Sequence, residues 1–449
     1  MTNVKRDGFG SRFGVLVAVA GSAVGLGNLW RFPYLVGTNG GAAFIILYLA
    51  FVILICLPIM FSEFIIGRRG QSNAFGSVKK IAPKSGWLSI GAISVIASIF
   101  ILSFYSVVGG WTIEYIFKSF SANFLTADSN SLSTQFSGFS QSQFMPVVMH
   151  LLFLGITALI VVAGVKNGIE RYSKILMPVL FFLVLLLAIR SLTLPGAYAG
   201  VEFLFKPDFS KITSKAALAA LGQAFFSLSL GMGCIITYGS YVNKKENLFK
   251  ISFMSAAADT GFAILAGLAV IPAVFAFGIS PGEGPSLVFI TLPQVFAQLP
   301  FGQIVAVAFF FILLIAALTS SISLLEVVVA FCCEELKWSR LFSVIVTFIV
   351  VGIFGSFSSL SQGVLSHITV FSKTFFDFFD YTSSNILLPI GGLLVVLLVG
   401  WRMKRSHVLD ELTSGGTITV KPIMFAIIYF LIRFVAPIAI ITVLIHSLW

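Results

Sequence analysis

Residues 11–38 read SRFGVLVAVAGSAVGLGNLWRFPYLVGT. A hydrocarbon core about 30 Å thick is crossed by about 20 apolar residues in a helix, and this run exceeds that. Its middle is unusual for a plain span. Gly21-Ser22-Ala23-Val24-Gly25-Leu26-Gly27-Asn28 gathers three glycines beside serine and asparagine. Each glycine costs about 1 kcal/mol against alanine in a helix interior. Two readings are open. The backbone unwinds here, which is tolerated at membrane depth where it is buried or lines a cavity. Alternatively, the small residues let a neighbouring helix pack closely. Unwound backbone would offer carbonyls to a cation and amides to a carboxylate.

The rest of the chain repeats the apolar run. Of its 449 residues, 58% are hydrophobic and 10% charged, with 48 Phe and a mean hydropathy of +1.04. A soluble domain carries about 25% charged residues. The runs are too long and continuous for the alternating strands of a membrane barrel. An all-α integral membrane protein of eleven transmembrane helices is therefore predicted, over 11–38, 42–67, 87–120, 145–164, 168–192, 216–241, 249–277, 301–336, 339–357, 370–401 and 422–448. They form a single transmembrane domain over 1–449.

The net charge of +11 points to membrane orientation rather than nucleic acid. Cytoplasmic loops collect Lys and Arg. One set of loops holds Lys5, Arg6, Arg12, Arg68, Arg69, Lys79, Lys80, Lys84, Lys244, Lys245, Arg402, Lys404 and Arg405. In the alternate set, 121–144 and 278–300 have no Lys or Arg, and Lys206, Lys211 and Lys215 are the exception. The N-terminus is thus expected in the cytoplasm and Trp449 outside, in a cell membrane of the bacterial inner-membrane kind. No signal peptide is expected ahead of the first span. The Pro- and Gly-rich segment 277–300 reads as an external loop able to act as a lid. Cys56, Cys234, Cys332 and Cys333 read as free thiols.

A second interruption lies in helix 6, at Ser227-Leu228-Ser229-Leu230-Gly231-Met232-Gly233. Helices 1 and 6 open two successive five-helix groups. Gly-interrupted helices at matching places in two halves point to a transporter site, and an odd number of helices per half makes the repeats inverted. Helices 1–5 (about 9–195) and 6–10 (about 210–403) would be those repeats, with helix 11 extra. Tyr105, Asp259, Glu63, Glu326 and Thr319-Ser320-Ser321 add polar groups inside spans. Ionisable residues there are functional candidates, whereas a lone Ser or Thr commonly bonds its own backbone.

These strings resemble a known family. GSAVGLGNLWRFPY (21–34) followed by NGGAAF, GQAFFSLSLGMGCIITYGSY (222–241) and ALTSSISLLE (317–326) look like the neurotransmitter:sodium symporters, in their bacterial amino-acid transporter branch with a LeuT-like fold. The likeness runs from Arg6 through helix 11. It implies two sodium sites. The first would use Ala23, Asn28, Ser227 and Asp259; the second Gly21, Val24, Ala316, Thr319 and Ser320. It implies an amino-acid pocket of Ser22, Ala23, Leu26, Gly27, Ile101, Tyr105, Phe226, Ser227, Ser229, Met232, Ser320 and Leu324. Tyr105 and the Leu26 and Gly27 amides would meet the carboxylate. Arg31 and Asp380 would form an external gate above Tyr105 and Phe226. Arg6 and Glu334, with Tyr241, would form an internal one.

Departures from the family pattern carry an expectation. Asp259 stands where Asn is frequent, and Ala263 where chloride-dependent members have Ser. Asp259 would then act as the anion substitute beside Tyr48, Gln223 and Ser227, and no chloride requirement is expected. Phe9 stands where Trp is common near the internal gate. The pocket is mostly apolar, with no acid or base for a charged side chain. A sodium-coupled importer of a hydrophobic or aromatic L-amino acid by alternating access is expected. A small neutral amino acid such as alanine or glycine is the alternative solute, and a gated channel the alternative class. A channel needs a continuous polar pore, and an enzyme a metal cluster or nucleophile–base pair; the sequence offers neither. The expected partners are the amino acid and the bilayer, with no nucleic acid and no obligatory protein partner.

Overall fold

The computed structural model describes residues 8–83, 86–121, 124, 125, 128–278 and 287–448. Among them, nine helices are long and apolar enough to cross a membrane: Ala42–Gly70, Gly86–Ser119, Met145–Val162, Val165–Leu192, Leu248–Ala276, Gly302–Glu334, Arg340–Leu360, Phe375–Arg402 and Pro422–Thr442. A tenth span is the pair Arg12–Ala23 and Gly27–Thr38, bent by 50° at its break. No strand occurs among the described residues, where Val370 and Lys373 make an isolated bridge.

The span expected over 216–241, with an interruption at Ser227–Gly233, consists of two pieces, Ser214–Ser227 and Cys234–Tyr241. Ser229 (φ 54°), Gly231 (φ 79°) and Gly233 (φ 79°) take left-handed backbone between them. Glycine adopts that region without steric penalty. Neighbours crowd both sites as well: a Cβ on Gly231 would collide with the Leu388 carbonyl, and one on Gly233 with the Ser94 side chain.

Burial separates an inner from an outer layer. In Gly302–Glu334, 67% of the most apolar window is buried inside the protein, against 28% in Val165–Leu192. The inner helix packs most extensively against Gly86–Ser119 and also meets Arg12–Ala23. Outward-facing Leu159, Ile175, Phe182 and Ile189 are exposed, as apolar chains facing lipid are.

One end of the molecule is tied together by polar contacts. Glu170 accepts from the Gly10 amide at 2.6 Å and the Ser11 hydroxyl at 2.8 Å, and Lys174 pairs with it at 2.6 Å. This pins the start of Arg12–Ala23 to the Val165–Leu192 helix. The segment expected as an external lid is described from Leu287, where Leu287–Thr291 and Leu292–Ala297 are helical and largely buried. Pro281, Gly282, Gly284 and Pro285 lie outside the described residues, as does Trp449.

Candidate transport site

The two interruptions face each other. Ser229 Oγ donates to the Ser22 carbonyl at 2.7 Å, and Gln223 Nε2 to the Gly27 carbonyl at 2.8 Å. Side chains near the second break thus bond carbonyls at the first, and the Gly27 carbonyl accepts the Phe32 amide as well. A Cβ on Gly25 would collide with Ser320 Oγ, so the glycine lets the chain come close to the inner helix.

Asp259 lies at the first crossing and is fully buried. Asn28 Nδ2 donates to its Oδ1 at 2.8 Å, and the Ser227 hydroxyl lies 2.9 and 2.8 Å from the two carboxylate oxygens. Tyr48 donates to Oδ2 at 3.3 Å. Asn28 Oδ1 faces the other way and accepts from the Gly25 amide at 3.0 Å. Gln223, expected beside Asp259, spends its amide on Gly27, and its Oε1 has no partner. Ala263 is buried on the same helix face, one turn on.

A second, uncharged cluster lies where Gly302–Glu334 passes the first break. Thr319 Oγ1 sits 3.1 Å from the Ala316 carbonyl and 3.4 Å from that of Val24. Gly21 packs against Thr319 and Met177. Ser320 differs from expectation in its direction. Its hydroxyl donates to the Ser22 carbonyl at 3.2 Å. Ser321 turns away to Thr157, at 2.9 Å.

Between these clusters is a cavity of about 20 Å³. Its walls include Ser22, Ala23, Gly25 and Gly27 from the first break, and Ser227, Ser229 and Met232 from the second. Ile101, Tyr105, Phe226, Ser320 and Leu324 complete it. Leu26 lines the neighbouring vestibule instead, and its amide donates to Tyr105 Oη at 3.1 Å.

That vestibule, of about 310 Å³, is lined by Arg31 and Asp380 and separated from the cavity by Tyr105 and Phe226. Arg31 lies over the Phe226 ring, 5.2 Å from its centroid, and Asp380 accepts from Ser384 at 3.0 Å. No ion pair joins Arg31 to Asp380 among the described residues. At the opposite end, polar contacts join the helices. Tyr241 donates to Glu326 at 2.7 Å, Arg340 pairs with Glu326 at 2.6 Å, and Glu334 accepts from Ser72 and the Asn73 amide, both at 2.7 Å. Phe9 packs edge-on to Tyr238 and Tyr241. Arg6 lies outside the described residues.

Sequence reasoning assigns Glu63 no role. Its Oε1 accepts the Gly231 amide at 2.7 Å, so a carboxylate from Ala42–Gly70 caps the free N–H of the second break. The available signal is a lone acid inside an apolar run.

A family profile described as the sodium:neurotransmitter symporter family matches residues 6–141 and 124–449. The uncharacterized sodium-dependent transporter YhdH of Bacillus subtilis is 42% identical over 453 residues, covering 99% of this chain and 98% of its own. The sodium- and chloride-dependent taurine transporter of Bos taurus is 28% identical over 367 residues, covering 70% of this chain and 58% of its own. A crystal structure of MhsT in complex with L-phenylalanine superposes with a TM-score of 0.91 at 45% identity, over 98% of this chain and all of that one.

Proposed function

The chain belongs to the sodium:neurotransmitter symporter family, and from that premise we propose that it imports a hydrophobic or aromatic L-amino acid with sodium and without chloride. It is a multi-pass membrane transporter, not an enzyme. The observation that carries the reading is the small cavity between two broken helices, flanked by one charged and one neutral oxygen cluster. Counted as one discontinuous span, Ser214–Ser227 and Cys234–Tyr241 bring the spans to eleven. The repeats 1–5 and 6–10 are then inverted, and the basic end faces the cytoplasm.

In this proposal the first sodium ion binds among Ala23, Asn28, Ser227 and Asp259. Half a turn of the Asn28 amide presents Oδ1 to Asp259 and Ser227, an all-oxygen set that a cation favours. The second ion binds at the Gly21, Val24 and Ala316 carbonyls with Thr319, and Ser320 joins them by turning its hydroxyl from the Ser22 carbonyl. The substrate carboxylate replaces the bond between Tyr105 and the Leu26 amide, and the Gly27 amide is near. Its amino group meets Ala23, Phe226 and Ser229. Ile101, Met232 and Leu324 take the side chain. Arg31 and Asp380 close the vestibule, and the Glu326 and Glu334 networks release the inner end.

The L-phenylalanine held by MhsT supports a bulky side chain here. One observation favours a smaller one: about 20 Å³ is room for about one water. A bulky solute requires Met232, which is flexible, and Phe226 to move. Sodium-driven uptake of twenty amino acids by proteoliposomes, each against a potassium control, separates the readings. Accumulation of alanine or glycine but not phenylalanine, tyrosine or tryptophan overturns the first. Uptake down a gradient but never against one would mean a channel.

A further inference from the structure

We propose that the basic end of the molecule carries a binding site for the phosphate of an anionic lipid headgroup. The site is a cleft between the end of Ala42–Gly70 and the helix Arg405–Leu412, with a volume of about 570 Å³. Small-ligand sites measure about 300–1,000 Å³. Its wall holds five cations, Arg69, Lys80, Lys244, Arg402 and Lys404, against two carboxylates, Asp410 and Glu411.

Both carboxylates are already engaged. Glu411 accepts from Arg68 Nε at 2.9 Å and lies 3.5 Å from Arg69, and Asp410 also lies 3.5 Å from Arg69. Lys80 donates to the carbonyls of Gly70 at 2.9 Å and Gln71 at 3.3 Å. Lys244, Arg402 and Lys404 have no carboxylate partner among the described residues. Positive charge is thus left over inside a cleft, where phosphate oxygens are well matched to Arg and Lys.

The cleft is built, not a chance gathering of surface lysines. Arg68 is fully buried behind it. It donates to the Glu246 carbonyl at 2.6 Å, to Ser414 at 3.3 Å and to the Glu411 carbonyl. This clamp fixes Arg405–Leu412 against the end of Ala42–Gly70 before any ligand arrives. His407 lies on the same wall.

Depth identifies the source of the phosphate. Arg402 is the last residue of the apolar span Phe375–Arg402. Beside it Trp401 is 55% exposed, and its indole N–H donates to the Arg433 carbonyl at 2.9 Å. Exposed tryptophan at a span end marks the headgroup layer. Basic pockets at that level, on the side of the anionic leaflet, suit lipid headgroups.

The test uses the purified full chain in detergent, titrated with phosphatidylglycerol or phosphatidylcholine and followed by native mass spectrometry. The expected result is that phosphatidylglycerol is retained and phosphatidylcholine is not. In Lys244→Gln/Arg402→Gln/Lys404→Gln, retention should weaken roughly tenfold or more, while Lys404→Arg keeps it. Equal retention of the two lipids by the unmodified protein overturns the proposal, whether or not the variant folds. So does undiminished retention by a triple variant whose melting temperature without lipid matches the unmodified protein. Inorganic phosphate is the third arm. If it binds as tightly as the lipid and displaces it, the ligand is a soluble anion and the lipid assignment fails.

Discussion

The two oxygen clusters beside the cavity differ in charge and in construction. At Asp259 a buried carboxylate is held by Asn28, Ser227 and Tyr48, from three other parts of the chain. At Thr319 the ligands are hydroxyls and backbone carbonyls, and no charge is present. A neutral cluster becomes positive when a cation enters, and in low dielectric that charge needs an offset. The charged cluster carries the offset within it. If both clusters hold cations as proposed, one side chain serves both as ligand and as counter-charge, while the other site depends on its neighbour for balance.

The comparison breaks outright if neither cluster holds sodium. Replacing sodium with choline should abolish concentrative uptake in proteoliposomes. An inside-negative potential should speed uptake, since each net charge gains about 2.3 kcal/mol per 100 mV. Equal uptake in choline would remove the premise.

The charged cluster is expected to be the more fragile. Asp259→Ala leaves the Asn28, Ser227 and Tyr48 donors facing one another without an acceptor. Leaving buried donors without their acceptor costs about 1–3 kcal/mol each, so initial uptake rates should fall roughly a hundredfold or more. Thr319→Val keeps the shape and removes one hydroxyl. A lost hydrogen-bond-strength ligand is worth about 1–1.5 kcal/mol, so apparent sodium affinity, read from the sodium dependence of substrate binding, should fall roughly tenfold. A larger loss at Thr319 than at Asp259 would reverse the ranking of the two sites.

Much of this site is legible in the order of residues alone. Lipid demands long apolar runs, so hydropathy marks most spans. Gly231 and Gly233 mark the second break because left-handed backbone favours glycine. What escapes such a reading is set by packing between distant parts of the chain. Glu63 reaches Gly231 across 168 positions, and no local pattern records that approach. Family resemblance groups Ser320 with Thr319 as a cation ligand. Successive helix residues point about 100° apart, and Ser320 meets the Ser22 carbonyl instead. Resemblance also sets Gln223 beside Asp259, yet its amide donates to the Gly27 carbonyl, 196 positions away in the chain. Arg31 and Asp380 line one vestibule without an ion pair among the described residues, a separation set by helix placement rather than by local sequence.

The smallest expected effect bears most directly on charge balance. In the proposed mechanism two sodium ions and a zwitterion would leave net positive charge at the site. At about 5 Å and an effective dielectric of about 20, a carboxylate offsets this by about 3 kcal/mol before desolvation. In the proposed mechanism Asp259 would take that role, since it is buried beside Ser227 and Ala263 supplies no hydroxyl for an anion. Uptake by the unmodified protein should therefore not change when gluconate replaces chloride. Asp259→Asn keeps an oxygen ligand and removes the charge. Paired with Ala263→Ser, it creates a neutral polar pocket with Tyr48 and Ser227. Gln223 could join it by releasing Gly27. A chloride ion entering there would restore part of the offset, and a gain of about 1 kcal/mol corresponds to roughly fivefold faster uptake in chloride than in gluconate. The taurine transporter, a more distant relative, is chloride-dependent by name. Chloride dependence in the unmodified protein would show that Asp259 is not the counter-charge. A double variant that transports equally well in gluconate would show that the counter-charge comes from elsewhere, and the distinction between the two clusters would reduce to ligand type alone.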